Sequence, residues 1–249
     1  MVTDLHADPD GRRIPHFLGI GAQKAGTTWL WQNLRIHPDI CLPPRKELHF
    51  LDRHWDKGYT WYLGHFQPRR LKGRIAGEIT PNYLVSDPAR IATMRAINPD
   101  LKIMLLIRNP IDRAWSAARY YSTNRKHVSA EDLSLGEFAA LARTRFVFER
   151  GDYRKGLERW EAEFGSDQIW VGFYDMIQNE PLRTFQSVLG FLGGDPKIDP
   201  GDFLLDTVFN AGPQADMPDQ HREILEELWA PQIAWLAERF ADREISWMN

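Results

Sequence analysis

The residues best suited to chemistry stand near the start of the chain, in the stretch from Phe17 to Leu30. An apolar run, Phe17 to Ile20, has the length of a buried strand. Gly21 and Gly26 then bracket a tight loop, and Thr27 and Thr28 open a segment, Trp29 to Ile36, that reads as a helix. Strand, glycine loop and helix make an anion cradle, because glycines let backbone N–H groups turn inward and the helix start adds partial positive charge. The spacing of Gly21 and Gly26 is that of a phosphate-binding loop. In such a loop a lysine follows the second glycine and reaches a γ-phosphate. Here Thr27 holds that place and the lysine lies inside the loop, at Lys24, while Thr28 could still hold a magnesium ion. The displaced lysine points to an anion without a β,γ-phosphate pair. The plainer alternative is a glycine turn carrying a surface lysine.

Two further groups join it. Leu101 to Ile107 is almost continuously apolar and predicts a central strand covered on both faces. Arg108 stands at its carboxyl end, where a ligand over a parallel sheet would meet it, and Ser116 lies eight residues on, in a helix opened by Asp112 and running through Trp115 and Arg119. An arginine fork and a serine hydroxyl suit a phosphate; the alternative is an Arg108–Asp112 pair capping the sheet edge. The other group is Lys46-Glu47-Leu48-His49, after Cys41 and two prolines that force an extended loop. Alternation in an extended segment places Glu47 and His49 on one side, against the reading of a surface ion pair between Glu47 and Lys46 or Arg45.

Lys24, Gly26, Thr27, Thr28 and Trp29 resemble the 5′-phosphosulfate loop, K-x-G-T-T-W, of the sulfotransferases, enzymes that use 3′-phosphoadenosine 5′-phosphosulfate (PAPS). Arg108 and Ser116 match the strand–R-x7-S–helix segment that binds the 3′-phosphate in that family. Lys46 to Asp52 is similar to the K-E-x-H-F-F-D segment of the heparan sulfate-type group, and Gly77 to Tyr83 to its G-E-K-T/S-P-x-Y pattern, with Ile79 where that group has a lysine. The resemblance implies donor contacts from Gln23, Lys24, Ala25, Gly26, Thr27, Thr28, Trp29, Arg108 and Ser116. It implies Glu47, or else His49, as the base that takes the acceptor's proton, and Lys24 as the group stabilising the leaving phosphate. No metal is required on this reading, and the acceptor is a small-molecule, lipid or glycan hydroxyl or amine. Glu78 and Thr80 are candidates for the acceptor end of the cleft, or Glu78 is a buried carboxylate paired to an arginine. Two readings outside the family are a P-loop kinase or NTPase and a non-catalytic nucleotide-binding module. The first would need a lysine after Gly26 and an acidic magnesium ligand. Ile79 and the lack of any lysine or arginine between Lys197 and Arg222 keep the second in play.

The elements that must position these groups alternate. Strands are expected at Arg74–Ile79, Leu101–Ile107 and Gln168–Phe173, besides the first. Helices are expected at Pro88–Ile97, after Asp112, and over Leu135–Ala142, Tyr153–Phe164, Leu182–Leu192 and Pro218–Phe240. The predicted fold class is α/β, a three-layer P-loop-type sandwich around a central parallel sheet of about five strands. Residues 1–14 are expected to form a disordered lead-in and 15–249 one domain. The aromatic and basic segment 53–73, with Arg69, Arg70 and Lys72, reads as a cap or acceptor-binding element. A lid over the donor would rely on backbone N–H groups around Asn210, Ala211 and Gly212. Tyr153 is read as a contact to nucleotide or acceptor, or as core.

Composition sets the outer bounds. The 249 residues carry a net charge of −3, unevenly spread: 27 Lys and Arg against 22 Asp and Glu through Gly194, then 4 against 12. A mildly basic body suits a small anionic ligand and argues against nucleic acid. No apolar run has the length of a membrane span. One cysteine, Cys41, excludes an internal disulfide, and with a polar, acidic N-terminus it fits a cytoplasmic protein.

Overall fold

In the computed structural model of the chain, the described residues are 8, 11, 13–66, 71, 73–209 and 216–248. Most of the expected lead-in lies outside them, as do Arg69, Arg70, Lys72 and the Asn210-Ala211-Gly212 segment. The sheet has five parallel strands: β1 (Phe17–Gly21), β2 (Ile40–Cys41), β3 (Ile75–Ile79), β4 (Lys102–Ile107) and β5 (Ile169–Phe173). Their order across the sheet is β2-β3-β1-β4-β5. β1 and β3 are buried throughout and β4 nearly so, so helices cover both faces. β2 is the strand that the sequence does not announce: two residues carry no periodicity, and the stretch reads as loop.

Among the described residues the helices are α1 (Thr27–Leu34), α2 (Phe50–Arg53), α3 (Gly58–Leu63), α4 (Pro88–Ile97), α5 (Pro110–Tyr121), α6 (Leu135–Ala142), α7 (Tyr153–Phe164), α8 (Tyr174–Asn179), α9 (Pro181–Leu192) and α10 (Asp219–Arg239). Several begin on signals that neighbours in sequence supply. Asn109 accepts from the N–H groups of Ile111 and Asp112, with Pro110 as the first helical residue, so α5 starts immediately after the end of β4. Asp87 and Pro88 do the same for α4, Asp152 caps α7, and Ser134 with Glu137 forms a capping box on α6. The polar stretch after α5 continues as one π-helical turn, Ser122–Lys126.

The crossovers from β1 and β4 leave toward opposite edges of the sheet, because β1 leads to β2 and β3 on one side and β4 leads to β5 on the other. A crevice outside the carboxyl ends of the strands forms where the order reverses in this way. β1 and β4 are hydrogen-bonded neighbours, with a register irregularity between Gly19 and Gly21 as β1 runs into its loop. The glycine loop and Arg108 therefore rise side by side from adjacent strand ends.

α7 packs on the turn after β3 through Gly156, with no room for a side chain. A Cβ there would lie 2.3 Å from Leu84 Cδ1 and 3.0 Å from the Leu84 carbonyl oxygen. Gly156→Ala would gain about 1 kcal/mol of helix propensity, but overpacking this buried contact costs about 1–3 kcal/mol. The variant is expected to unfold at lower denaturant with an unchanged m-value, measured by urea titration, despite the better helix former.

Candidate functional site

A cavity of about 1170 Å³ opens over β1 and β4, and Gln23, Lys24, Gly26, Thr27, Arg108 and Ser116 are among the residues that line it. Their convergence has a local cause in each element. Gly26 is left-handed at φ 92°, and a Cβ on it would come within 2.9 Å of Ile177 Cδ1 and 3.1 Å of the Tyr174 ring, so conformation and space both require glycine. Lys24 is also left-handed, at φ 70°, an unusual state for a side-chain-bearing residue that turns it into the loop. On α5, Asp112, Trp115, Ser116, Arg119 and Tyr120 line the cavity at helical spacing, which makes one helix face a wall of the site.

This end of the cavity is electropositive. Burial, then the nearby Arg108 and Arg119, push the Lys24 pKa down from its ordinary value. Its ammonium lies 4.8 Å from the centre of the Tyr120 ring. The Arg108 guanidinium donates to the Lys24 carbonyl oxygen at 3.2 Å and stacks over Tyr174 at 4.8 Å, rather than pairing with Asp112. Tyr153 fixes the strand end below it. Its hydroxyl donates to the Arg108 carbonyl at 2.9 Å and accepts from the Arg108 N–H at 3.3 Å, in a fully buried position that assigns it to the core. Trp29 lines the cavity but is nearly buried, its indole N–H donating to the Leu205 carbonyl at 2.8 Å. Ala25 differs from the expectation of a direct contact. Its side chain is buried and its N–H donates to the Ala22 carbonyl within the loop at 3.2 Å.

At the other end the cavity meets Lys46 and Glu47. The segment is not extended, as alternation predicts. Glu47 and His49 are left-handed, at φ 63° and 57°, and His49 precedes the short α2. Tertiary hydrogen bonds hold these conformations: the Glu47 N–H donates to the Ile79 carbonyl at 3.2 Å, and the His49 N–H to Thr80 Oγ1 at 3.4 Å. The two side chains still meet. Lys46 Nζ lies 3.0 Å from Glu47 Oε1, His49 Nε2 lies 3.4 Å from Glu47 Oε2, and His49 Nδ1 lies 3.0 Å from Asp52 Oδ2. Asn82 completes the relay by donating to Asp52 at 2.6 Å. Hydrogen bonds to Asp52 and then Glu47 raise the His49 pKa to about 9 against the opposing effect of burial. Burial alone would raise Glu47, yet the His49 bond and the Lys46 ammonium outweigh it and hold the carboxyl at about 2. Asp52 and Asn82 carried no role in the sequence reading. The i,i+3 spacing of His49 and Asp52 was the available signal, because it places both on one face of a helical turn.

Glu78 and Thr80 do not reach the acceptor end. Both are buried, and Thr80 Oγ1 donates to Glu78 Oε2 at 2.7 Å. Nor does an arginine pair with Glu78 among the described residues. Tyr62 donates to its other oxygen at 3.4 Å, and Tyr83 hydrogen-bonds it as well. Burial pushes its pKa up to about 7, since the hydroxyls and the Leu48 N–H only partly offset the loss of water. Tyr83 also accepts from the Phe50 N–H at 2.7 Å, so this buried cluster is the floor on which the Glu47–His49 turn rests.

Residues 15–209 match the family model described as the sulfotransferase domain. Among curated proteins, the chain is 32% identical over 197 residues to mouse heparan sulfate glucosamine 3-O-sulfotransferase 3B1, covering 77% of this chain and 49% of that protein. It is 44% identical over 189 residues to mouse heparan sulfate glucosamine 3-O-sulfotransferase 6, covering 74% and 54%. The chain thus spans about half the length of these curated relatives. Among solved structures, a sulfotransferase from Alicyclobacillus acidocaldarius superposes with a TM-score of 0.74 at 28% identity, covering 94% of this chain and 99% of that one. No described helix is long and apolar enough to cross a membrane.

The relay predicts a pH signature. A group whose pKa is raised by folding stabilises the fold below its unfolded value and loses that contribution as pH rises through its folded value. Glu78 therefore loses its contribution from about 4.5 to about 7, and His49 from about 6.5 to about 9. Unfolding free energy measured against pH is expected to fall across both windows. His49→Gln should flatten the upper window and Glu78→Gln the lower one.

Proposed function

Since the chain belongs to the sulfotransferase domain family, we propose that it moves the sulfuryl group of PAPS to a hydroxyl or amine of an acceptor. The observation that carries this is the meeting of Lys24 and the Gly26 loop with Arg108 and Ser116 on one cavity. Two cationic sites on adjacent strand ends suit a nucleotide with phosphate at its 5′ and 3′ positions. The 5′-phosphosulfate would lie on the helix start at Thr27 and Thr28 with Lys24 against the bridging oxygen, and the 3′-phosphate would lie between Arg108 and Ser116.

In the reaction, the acceptor oxygen or nitrogen forms a bond to sulfur as the bond from sulfur to the 5′-phosphate oxygen breaks. The electron pair leaves on that phosphate, and the acceptor's proton passes to Glu47. The product nucleotide is adenosine 3′,5′-bisphosphate (PAP). Lys24 steadies the charge that develops on the leaving oxygen. Glu47 is favoured over His49 as the base because both ring nitrogens of His49 face carboxylates and its pKa of about 9 keeps the ring protonated at neutral pH. The imidazolium then orients Glu47, with Asp52 and Asn82 behind it. The curated relatives are named for heparan sulfate glucosamine, so a glycan is the proposed acceptor class. A cytoplasmic setting is proposed from the single buried cysteine, Cys41.

Calorimetric titration tests the donor site without an acceptor. PAP is expected to bind at least tenfold more tightly than AMP, which lacks the 3′-phosphate. Arg108→Ala should remove about 1.5–3 kcal/mol of that preference, the value of a hydrogen bond to a charged group. Equal affinity for PAP and AMP in the unaltered protein would overturn the assignment.

A further inference from the structure

Glu47 poses a chemical problem as a base, because two cations already claim its carboxylate. Lys46 lies against one oxygen and His49 against the other. A carboxylate held in this way has little appetite for a proton. The two cations differ in what ties them down. His49 is held between two carboxylates, one on each ring nitrogen: Asp52 at 3.0 Å and Glu47 at 3.4 Å. Lys46 ends a flexible stem, and its ammonium also donates to Thr27 Oγ1 at 3.4 Å.

Thr27 is the first residue of α1, directly after Gly26. Lys46 thus holds its charge at the positive end of a helix, on the wall of a cavity that Lys24 and Arg108 also line. A cation is disfavoured at a helix start and an anion is favoured. Ile79, at the end of the neighbouring strand β3, is fully buried and brings no charge to the cavity. Lys46 is therefore the cation that spans the gap between the donor loop and the base. The Glu47 backbone is anchored to Ile79, so the ammonium can move while the carboxylate stays in place.

We propose that Lys46 is shared between two anions. It neutralises Glu47 in the free protein, and crosses to the sulfonate oxygens of the donor when PAPS binds, releasing Glu47 to accept the acceptor's proton. The base is then competent only with donor in place. The inference rests on the PAPS reading above. Apart from Lys46, the charged groups acting on Glu47 include His49 and Arg150. Neither contacts the donor loop in this arrangement, so both leave Glu47 oriented after Lys46 departs.

The test is the ratio of PAPS to PAP affinity, measured by titration calorimetry without acceptor, because PAP lacks only the sulfonate. Lys46→Gln is expected to weaken PAPS binding about tenfold and leave PAP unchanged, with Lys46→Arg recovering part of the loss. Glu47→Gln is expected to tighten PAPS binding severalfold, because the competitor for the ammonium is gone. That gain should vanish in the Lys46→Gln background. A PAPS-to-PAP ratio unchanged in either single variant, or a Glu47→Gln gain that persists without Lys46, overturns the shared-ammonium proposal. Failure of the unaltered protein to bind PAP and PAPS at all would instead overturn the sulfotransferase reading. If Lys46→Gln does not fold, which loss of PAP binding would reveal, Glu47→Gln and Lys46→Arg still decide the matter.

Discussion

The gathering of Lys24, Arg108 and Arg119 at one end of the cavity, with Arg119 held by Glu131 at 3.2 Å, is the constraint on which the site depends. Burial and repulsion from the two arginines together lower the affinity of Lys24 for its proton, and among the described residues no carboxylate pairs with Lys24 or Arg108. Such a concentration of positive charge persists only if the scaffold forces it. Here the force comes from two adjacent parallel strands whose carboxyl ends carry the charges to one edge. The burial of β1, β3 and β4 drives the sheet together and leaves those ends nowhere else to go. An anion with charge at both ends is the natural complement of this edge.

The opposite end of the cavity follows a different logic. There the chain of contacts runs from Lys46 through Glu47, His49 and Asp52 to Asn82. Two residues in left-handed backbone carry the centre of that chain. Backbone strain of this kind persists only where surroundings over-determine it. Those surroundings are the Ile79 carbonyl, the Thr80 hydroxyl and the buried hydroxyl cluster around Glu78. At one end, then, Lys24 and Arg108 stand without a carboxylate partner among the described residues, and at the other the charges are joined in a chain of contacts. Lys46 touches both, through Thr27 Oγ1 and Glu47 Oε1, and on the proposed reading it couples donor binding to proton transfer.

Much of this was legible in the residues alone. The glycine loop, the Arg108–Ser116 spacing, four of the five strands and most of the long helices lie in local patterns: apolar runs, helical spacing, and caps such as Asn109-Pro110. These depend on neighbours within a turn or two of chain, and so the sequence states them directly. The residues that the sequence singled out for the donor, Gln23, Lys24, Gly26, Thr27, Thr28, Trp29, Arg108 and Ser116, all line the cavity, and Ala25 does not. Its N–H closes the loop internally, and no pattern of residue types reveals which loop N–H groups are consumed by the loop itself.

What the sequence could not decide was direction and depth. Glu47 and His49 read as an extended pair on one side, whereas contacts with Ile79 and Thr80, some thirty positions further on, twist both residues into the left-handed region. Glu78 and Thr80 have the residue types of a cleft and the burial of a core, because Tyr62 and Tyr83 close over them. The sequence by itself determined which groups exist and which strand ends bear them, since strand and helix starts are set by adjacent side chains. Only the tertiary structure decided which groups face the cavity and which are spent on one another, because that depends on hydrogen bonds between segments far apart in the chain.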